Sequence, residues 1–177
     1  GSQILDDIGE EILNNINNID DFSEIKLMDM EEGLNRGLIN YIGDEMDDEY
    51  VEKVKNLSLS DDIDKDIKVV YTPLNGTGNK LVRRVLKERG FTNVLVVSEQ
   101  ENPDPDFTTV GYPNPEDVKA FDYAKRYGKE NAADILIATD PDCDRVACMV
   151  KDDRGEYVFL NGNQTGALLV NYILSSR

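Results

Sequence analysis

The segment Ile135-Leu136-Ile137-Ala138-Thr139-Asp140-Pro141-Asp142-Cys143-Asp144-Arg145 sets three carboxylates at i, i+2 and i+4 directly after an apolar run. In extended backbone alternate side chains share a face, so all three can converge on one point. Adjacent carboxylates repel unless a positive charge lies between them. A hard divalent cation with oxygen ligands meets that need, and Mg²⁺ commonly keeps positions open for water or phosphate oxygens. Arg145 adds a forked donor suited to phosphate. The simpler alternative is a solvated acidic turn. The apolar run feeding into the cluster and the adjacent Arg weigh against it.

Three rival motifs fit this sequence less well. In an EF-hand loop counted from Asp140, the sixth position should be Gly and the twelfth Glu, but Arg145 and Lys151 stand there. Asp142-x-Asp144-x-Val146 resembles the nucleophile motif of haloacid-dehalogenase phosphatases, with Asp142 as nucleophile. That fold carries the motif early, and only 31 residues follow Val146 to hold its later Lys and acidic motifs. Gly76-Thr77-Gly78-Asn79-Lys80 approaches a Walker A loop, but its spacing is wrong and no Ser or Thr follows Lys80.

A framework must hold the cluster, and hydropathy predicts one. Ile4, Ile8, Ile12, Ile16 and Ile19 recur at helical spacing. Leu38 to Ile42 reads as a short strand, and Asp47 as the cap of a helix carrying Tyr50, Val51, Val54 and Leu57. Lys68 to Tyr71 is a strand, and residues 73–78 form a turn-rich loop. A helix with Leu81, Val82, Val85 and Leu86 inward follows, closed by Gly90. Val94 to Val97 reads as a buried strand. A proline-rich loop leads to Asn114-Pro115-Glu116-Asp117, a helix start, with that helix ending at Gly128. Asp134 to Ala138 is the strand before the cluster. Arg145 to Val150 and Glu156 to Phe159 pair across Asp153-Arg154-Gly155. Asn161-Gly162 opens the last helix. Alternating strands and helices predict a three-layer α/β/α fold with a mixed, mainly parallel sheet, preceded by a helical N-terminal segment. In such a sheet ligands bind at the C-terminal strand edge, where the cluster lies.

Composition narrows the classes. The chain has 177 residues, 19 Lys+Arg against 36 Asp+Glu, no His and two Cys, with a formal charge of −17. Residues 1–68 hold 20 of the acids and 6 of the bases, interleaved with apolar residues as on a solvated helical surface. Such acidity argues against a nucleic-acid partner. Without His there is no His general base, nucleophile or ligand. Cys143 and Cys148 fit neither a disulfide framework nor a zinc site. No apolar run is long enough for a membrane span and no signal peptide is visible, so the expectation is a cytoplasmic context. The chain does not begin with Met, which points to a fragment.

The residues together resemble a known family, the α-D-phosphohexomutases: phosphoglucomutase and phosphomannomutase. The family's metal loop, Asp-x-Asp-x-Asp-Arg, is matched by Asp140, Asp142, Asp144 and Arg145. Residues Tyr71 to Gly78 resemble its Thr-Pro-Leu-His-Gly-Thr-Gly turn, with Asn75 in place of His. Asn102 to Phe107, Tyr112 to Glu116 and Gly162 to Leu169 follow in the family's order. The resemblance implies a second, metal-binding domain at 38–177, preceded by the helical tail of the first domain at 1–37. It implies Mg²⁺ on Asp140, Asp142 and Asp144, a phosphate-binding Arg145, and a cleft loop of Asn75, Gly76, Thr77 and Gly78. It further implies a parent isomerase moving a phosphoryl group between the 1- and 6-positions of a hexose phosphate, through a phosphoserine that would complete the metal's coordination. The phosphoserine loop in its usual His-containing form and the sugar-reading motif are absent from these residues, so the chain alone is expected to be inactive. The remaining domains of the same chain and the hexose phosphate are the implied partners. A haloacid-dehalogenase-type phosphatase and a noncatalytic cation-binding module are the other readings.

Overall fold

The computed structural model describes residues 3–176. They fall into two compact units, Gly1–Gly43 and Asp44–Arg177. In the first, helix α1 (Asp6–Asn17) forms where the isoleucine spacing predicts it. Its apolar stripe stays open, with Ile8, Ile12 and Ile16 about half exposed. Helix α2 (Met30–Asn35) is capped by the Asp29 carboxylate, which accepts from the Glu31 and Glu32 amides. The strand predicted over Leu38–Ile42 does not form. The amides of Leu38 and Ile39 instead donate to the Gly33 carbonyl, which closes α2, and no partner strand competes for them.

In the second unit, helix α3 (Asp44–Lys55) begins three residues before Asp47, which sits in its first turn and does not cap it. Val51 is its buried residue. Strand β1 (Val69–Thr72) leads to helix α4 (Gly78–Glu88), which packs against α3. Gly90, at φ +92°, closes α4 as the sequence predicts. Strand β2 (Val94–Val96) is not buried as expected: it lies at the sheet edge and leaves Leu95 exposed. The helix predicted from Asn114 starts later. Asp117 caps a 3₁₀ turn, Val118–Phe121, that runs into helix α5 (Asp122–Asn131). Gly128 does not end α5; a Cβ there would meet Leu136 Cδ2 and the Tyr157 ring at 2.7 Å, so it permits close packing. Strands β3 (Ile135–Thr139), β4 (Val146–Lys151) and β5 (Tyr157–Leu160) follow, with the turn at 153–155 as predicted. Helix α6 (Gly162–Ser175) opens with a capping box between Asn161 and Gln164.

The sheet order is β2-β1-β3-β4-β5. Pairs β1–β2 and β1–β3 are parallel, while β3–β4 and β4–β5 are antiparallel, so only β4 runs against the rest. The crossovers β1–α4–β2 and β2–α5–β3 run in opposite directions across the sheet, which puts α4 and α5 on opposite faces. Register then sorts the side chains. Val70, Leu136 and Met149 align on the α5 face with Ala138 and Ala147, over Phe121 and Ala124. Phe121 meets Phe159 edge-on at 5.9 Å. This is an α/β fold with a mixed sheet. Among the described residues no helix is long and apolar enough to cross a membrane.

Candidate metal centre and the loops around it

Strand β3 delivers its last buried residue, Thr139, to the C-terminal sheet edge, and the chain then turns sharply. The Cys143 amide donates to the Asp140 carbonyl at 3.0 Å, closing a turn with Pro141 at its second position. Cys143 completes it at φ +63°, a left-handed backbone that non-glycine residues seldom adopt. The turn folds Asp140, Asp142 and Asp144 together, with one oxygen from each inside a mutual spread of 4.8 Å. Convergence thus comes from a tight turn, not from the extended backbone that i, i+2, i+4 spacing implies.

The three carboxylates are unequal. Asp140 is fully buried, whereas Asp142 and Asp144 are exposed. Arg145 answers Asp140 twice: its amide donates to Oδ1 at 2.9 Å and its Nε to Oδ2 at 2.7 Å. Burial pushes the Asp140 carboxyl up, but the hydrogen bonds from the Arg145 amide and guanidinium oppose that, and the carboxyl is held below the usual range. Asp144 moves the other way, pushed up by the Asp142 charge and by its neighbour Asp140. One guanidinium therefore leaves negative charge unmet. All-oxygen donors at this spacing suit a hard divalent ion, so the triad is compatible with a metal.

Loops from both sides close on this turn. From one side comes the loop after β1, with Leu74 at φ +47° and Asn75 at φ +61°. Asn75 is buried; its Nδ2 donates to the Asn102 carbonyl at 2.7 Å, and the Thr109 hydroxyl lies at 3.4 Å from its Oδ1. Gly78 is buried too, and a Cβ there would meet Tyr71 Oη at 2.6 Å and Cys143 Sγ at 2.7 Å. Gly76 and Thr77 lie against Pro141, and Thr77 is exposed. From the other side, Asn114 Oδ1 accepts from Arg145 Nη1 at 3.1 Å. A groove of about 370 Å³ between α3 and α4, lined by Tyr50, Val54, Leu81 and Val85, ends at Asp142 and Cys143.

The family model for phosphoglucomutase/phosphomannomutase, alpha/beta/alpha domain II, matches residues 48–155, a span that holds the whole turn and both flanking loops. The chain belongs to the phosphoglucomutase/phosphomannomutase family. Phosphoglucomutase of Staphylococcus haemolyticus is 35% identical over 174 residues, 98% of this chain and 31% of that protein. Phosphoglucomutase of Staphylococcus aureus strain MRSA252 is 41% identical over 125 residues, 71% of this chain and 22% of its own. The chain thus spans about a third or less of the curated relatives it matches. A crystal structure of a phosphoglucomutase/phosphomannomutase family protein from Burkholderia thailandensis superposes with a TM-score of 0.56 at 25% identity, covering 73% of this chain and 26% of that one.

Within this family domain, the three aspartates and Arg145 come together in one turn. The four loop residues Asn75 to Gly78 adjoin it, but two are buried in packing. Asn114, read from sequence as a helix cap, instead braces Arg145 and accepts from the Glu116 amide at 3.0 Å. Nothing local to Asn114 signals an arginine 31 residues away.

Proposed function

We propose that this chain supplies the Mg²⁺-binding domain of a phosphoglucomutase/phosphomannomutase, an isomerase that moves a phosphoryl group between the 1- and 6-positions of a hexose phosphate. The observation that carries the reading is the convergence of Asp140, Asp142 and Asp144 at the end of β3 in a chain of that family. Those three residues would hold the ion, which when bound offsets charge on a transferring phosphoryl group. Asp140 and Asn114 hold the Arg145 guanidinium through Nε and Nη1, and Nη2 remains to donate to a phosphate oxygen. The domain boundary is placed at 37/38, with residues 1–37 as the helical tail of a preceding domain. The hexose phosphate and the other domains of a longer chain are the partners. A cytoplasmic setting fits two cysteines that are both free. Family membership displaces the haloacid-dehalogenase reading, in which Asp142 would be a nucleophile.

Two measurements test this. Isothermal titration of the 177-residue chain with Mg²⁺ should show one weak site that Asp142→Asn abolishes. A coupled assay for conversion of glucose 1-phosphate should show no turnover by this chain alone. Equal Mg²⁺ binding by both proteins overturns the metal site, and measurable turnover overturns the domain's dependence on its partners.

A further inference from the structure

The turn that gathers the carboxylates does not stand alone. Its middle residue, Pro141, is gripped by a segment more than sixty positions earlier in the chain. The Thr77 amide donates to the Pro141 carbonyl at 2.8 Å, and the Thr77 hydroxyl donates to the same oxygen at 3.1 Å. Gly76 lies flat on that residue: a Cβ there would stand 2.4 Å from Pro141 Cα, 2.6 Å from its O and 2.8 Å from its C. The obstacle is backbone, which cannot rotate aside as a flexible side chain would. Gly76 does not have the positive φ that reserves a position for glycine, so its requirement is the close approach alone.

The gripping segment is itself costly to hold. Leu74 and Asn75 are consecutive left-handed residues, a backbone that a leucine side chain strongly disfavours, in a turn closed by the Gly76 amide on the Pro73 carbonyl at 2.9 Å. Such backbone persists where the surroundings over-determine it. Here the Leu74 amide donates to Thr72 Oγ1, the Asn75 amide to the Gln100 carbonyl, and the Asn75 side chain to the Asn102 carbonyl. The result is a rigid finger whose tip meets the peptide joining the first and second carboxylates.

We propose that Gly76 and Thr77 are positioning residues for the carboxylate turn: seated on Pro141, they set the spacing of Asp140 and Asp142 and with it the cation affinity of the cluster. This rests on the metal reading above. It also separates the roles of the loop. Asn75 and Gly78 secure the finger and the start of α4, while Gly76 and Thr77 act on the turn.

The test is Mn²⁺ titration of the 177-residue chain, with free Mn²⁺ counted by electron paramagnetic resonance at moderate salt. Gly76→Ala should weaken binding by roughly tenfold or more, the usual scale for losing an outer support of a metal ligand. Thr77→Val should weaken it several-fold, and Thr77→Ser, which restores the hydroxyl, should recover it. Exchange of the Cys143 amide, which closes the turn, should speed up in the same two variants and recover in Thr77→Ser. If Gly76→Ala fails to fold, the Thr77 pair decides. Wild-type affinity and unchanged Cys143 exchange in Thr77→Val, or no recovery in Thr77→Ser, overturn the positioning role while leaving the metal site intact. If wild type and Asp142→Asn bind Mn²⁺ equally, the metal reading itself fails.

Discussion

Thr72 is the residue on which the finger's base depends, and replacing it with valine makes the dependence measurable. Its hydroxyl donates to Gln100 Oε1 at 2.7 Å and accepts from the Leu74 amide at 3.1 Å. Thr72, Leu74 and Gln100 are each fully buried. Valine keeps the shape but strands one acceptor and one donor out of reach of water. Each unsatisfied buried group costs about 1–3 kcal/mol, so Thr72→Val should cost about 2–6 kcal/mol. Against a typical domain stability of about 5–15 kcal/mol that is a large fraction. Thr72→Ser keeps the hydroxyl and removes one methyl, for about 1 kcal/mol. Urea unfolding followed by far-ultraviolet circular dichroism compares the three proteins, with the m value expected to stay constant. If Thr72→Val falls within about 0.5 kcal/mol of Thr72→Ser, the hydroxyl is not supporting the strained turn and the reasoning fails.

Gly128→Ala should destabilise by about 1–3 kcal/mol through overpacking, because the new methyl meets Leu136 and Tyr157 at 2.7 Å; a thermal midpoint equal to wild type would contradict this. Glu99 supplies a pH prediction. Burial raises its pKa, but hydrogen bonds from Tyr127, its own backbone, Arg126 and Ser98 prevail and bring it down to about 2 from an ordinary 4.5. A depressed carboxylate stabilises the fold above its unfolded pKa and loses that contribution as pH falls toward the folded value. The stability gap between wild type and Glu99→Gln should therefore be constant near neutrality and close between about pH 5 and pH 2. A gap independent of pH would refute the assignment.

Much of this protein follows from local sequence. The apolar run 135–138 is short and rich in strand-forming residues, and it makes β3. Asn161 and Gln164 cap α6 through bonds spanning three residues, and Gly155 closes its hairpin at φ +82°. The acidic triad is legible for the same reason: its members are neighbours, and their mutual repulsion is a property of the segment itself. Tertiary structure decided the rest. Leu38–Ile42 has strand-forming residues but no partner strand, so its amides close α2 instead. Val94–Val96 reads as a core strand, yet only the sheet order reveals it as an edge. Gly128 looks like a helix terminator until Leu136 and Tyr157 are seen against it. Gly76 meets Pro141 because β1 and β3 are parallel neighbours whose C-terminal ends share one edge, and Asn114 meets Arg145 because the segment after β2, parallel to β1, opens at that same edge. Spacing along the chain can name the carboxylates. Holding them at a fixed separation takes contacts between residues far apart in sequence, and those exist only once the sheet has assembled.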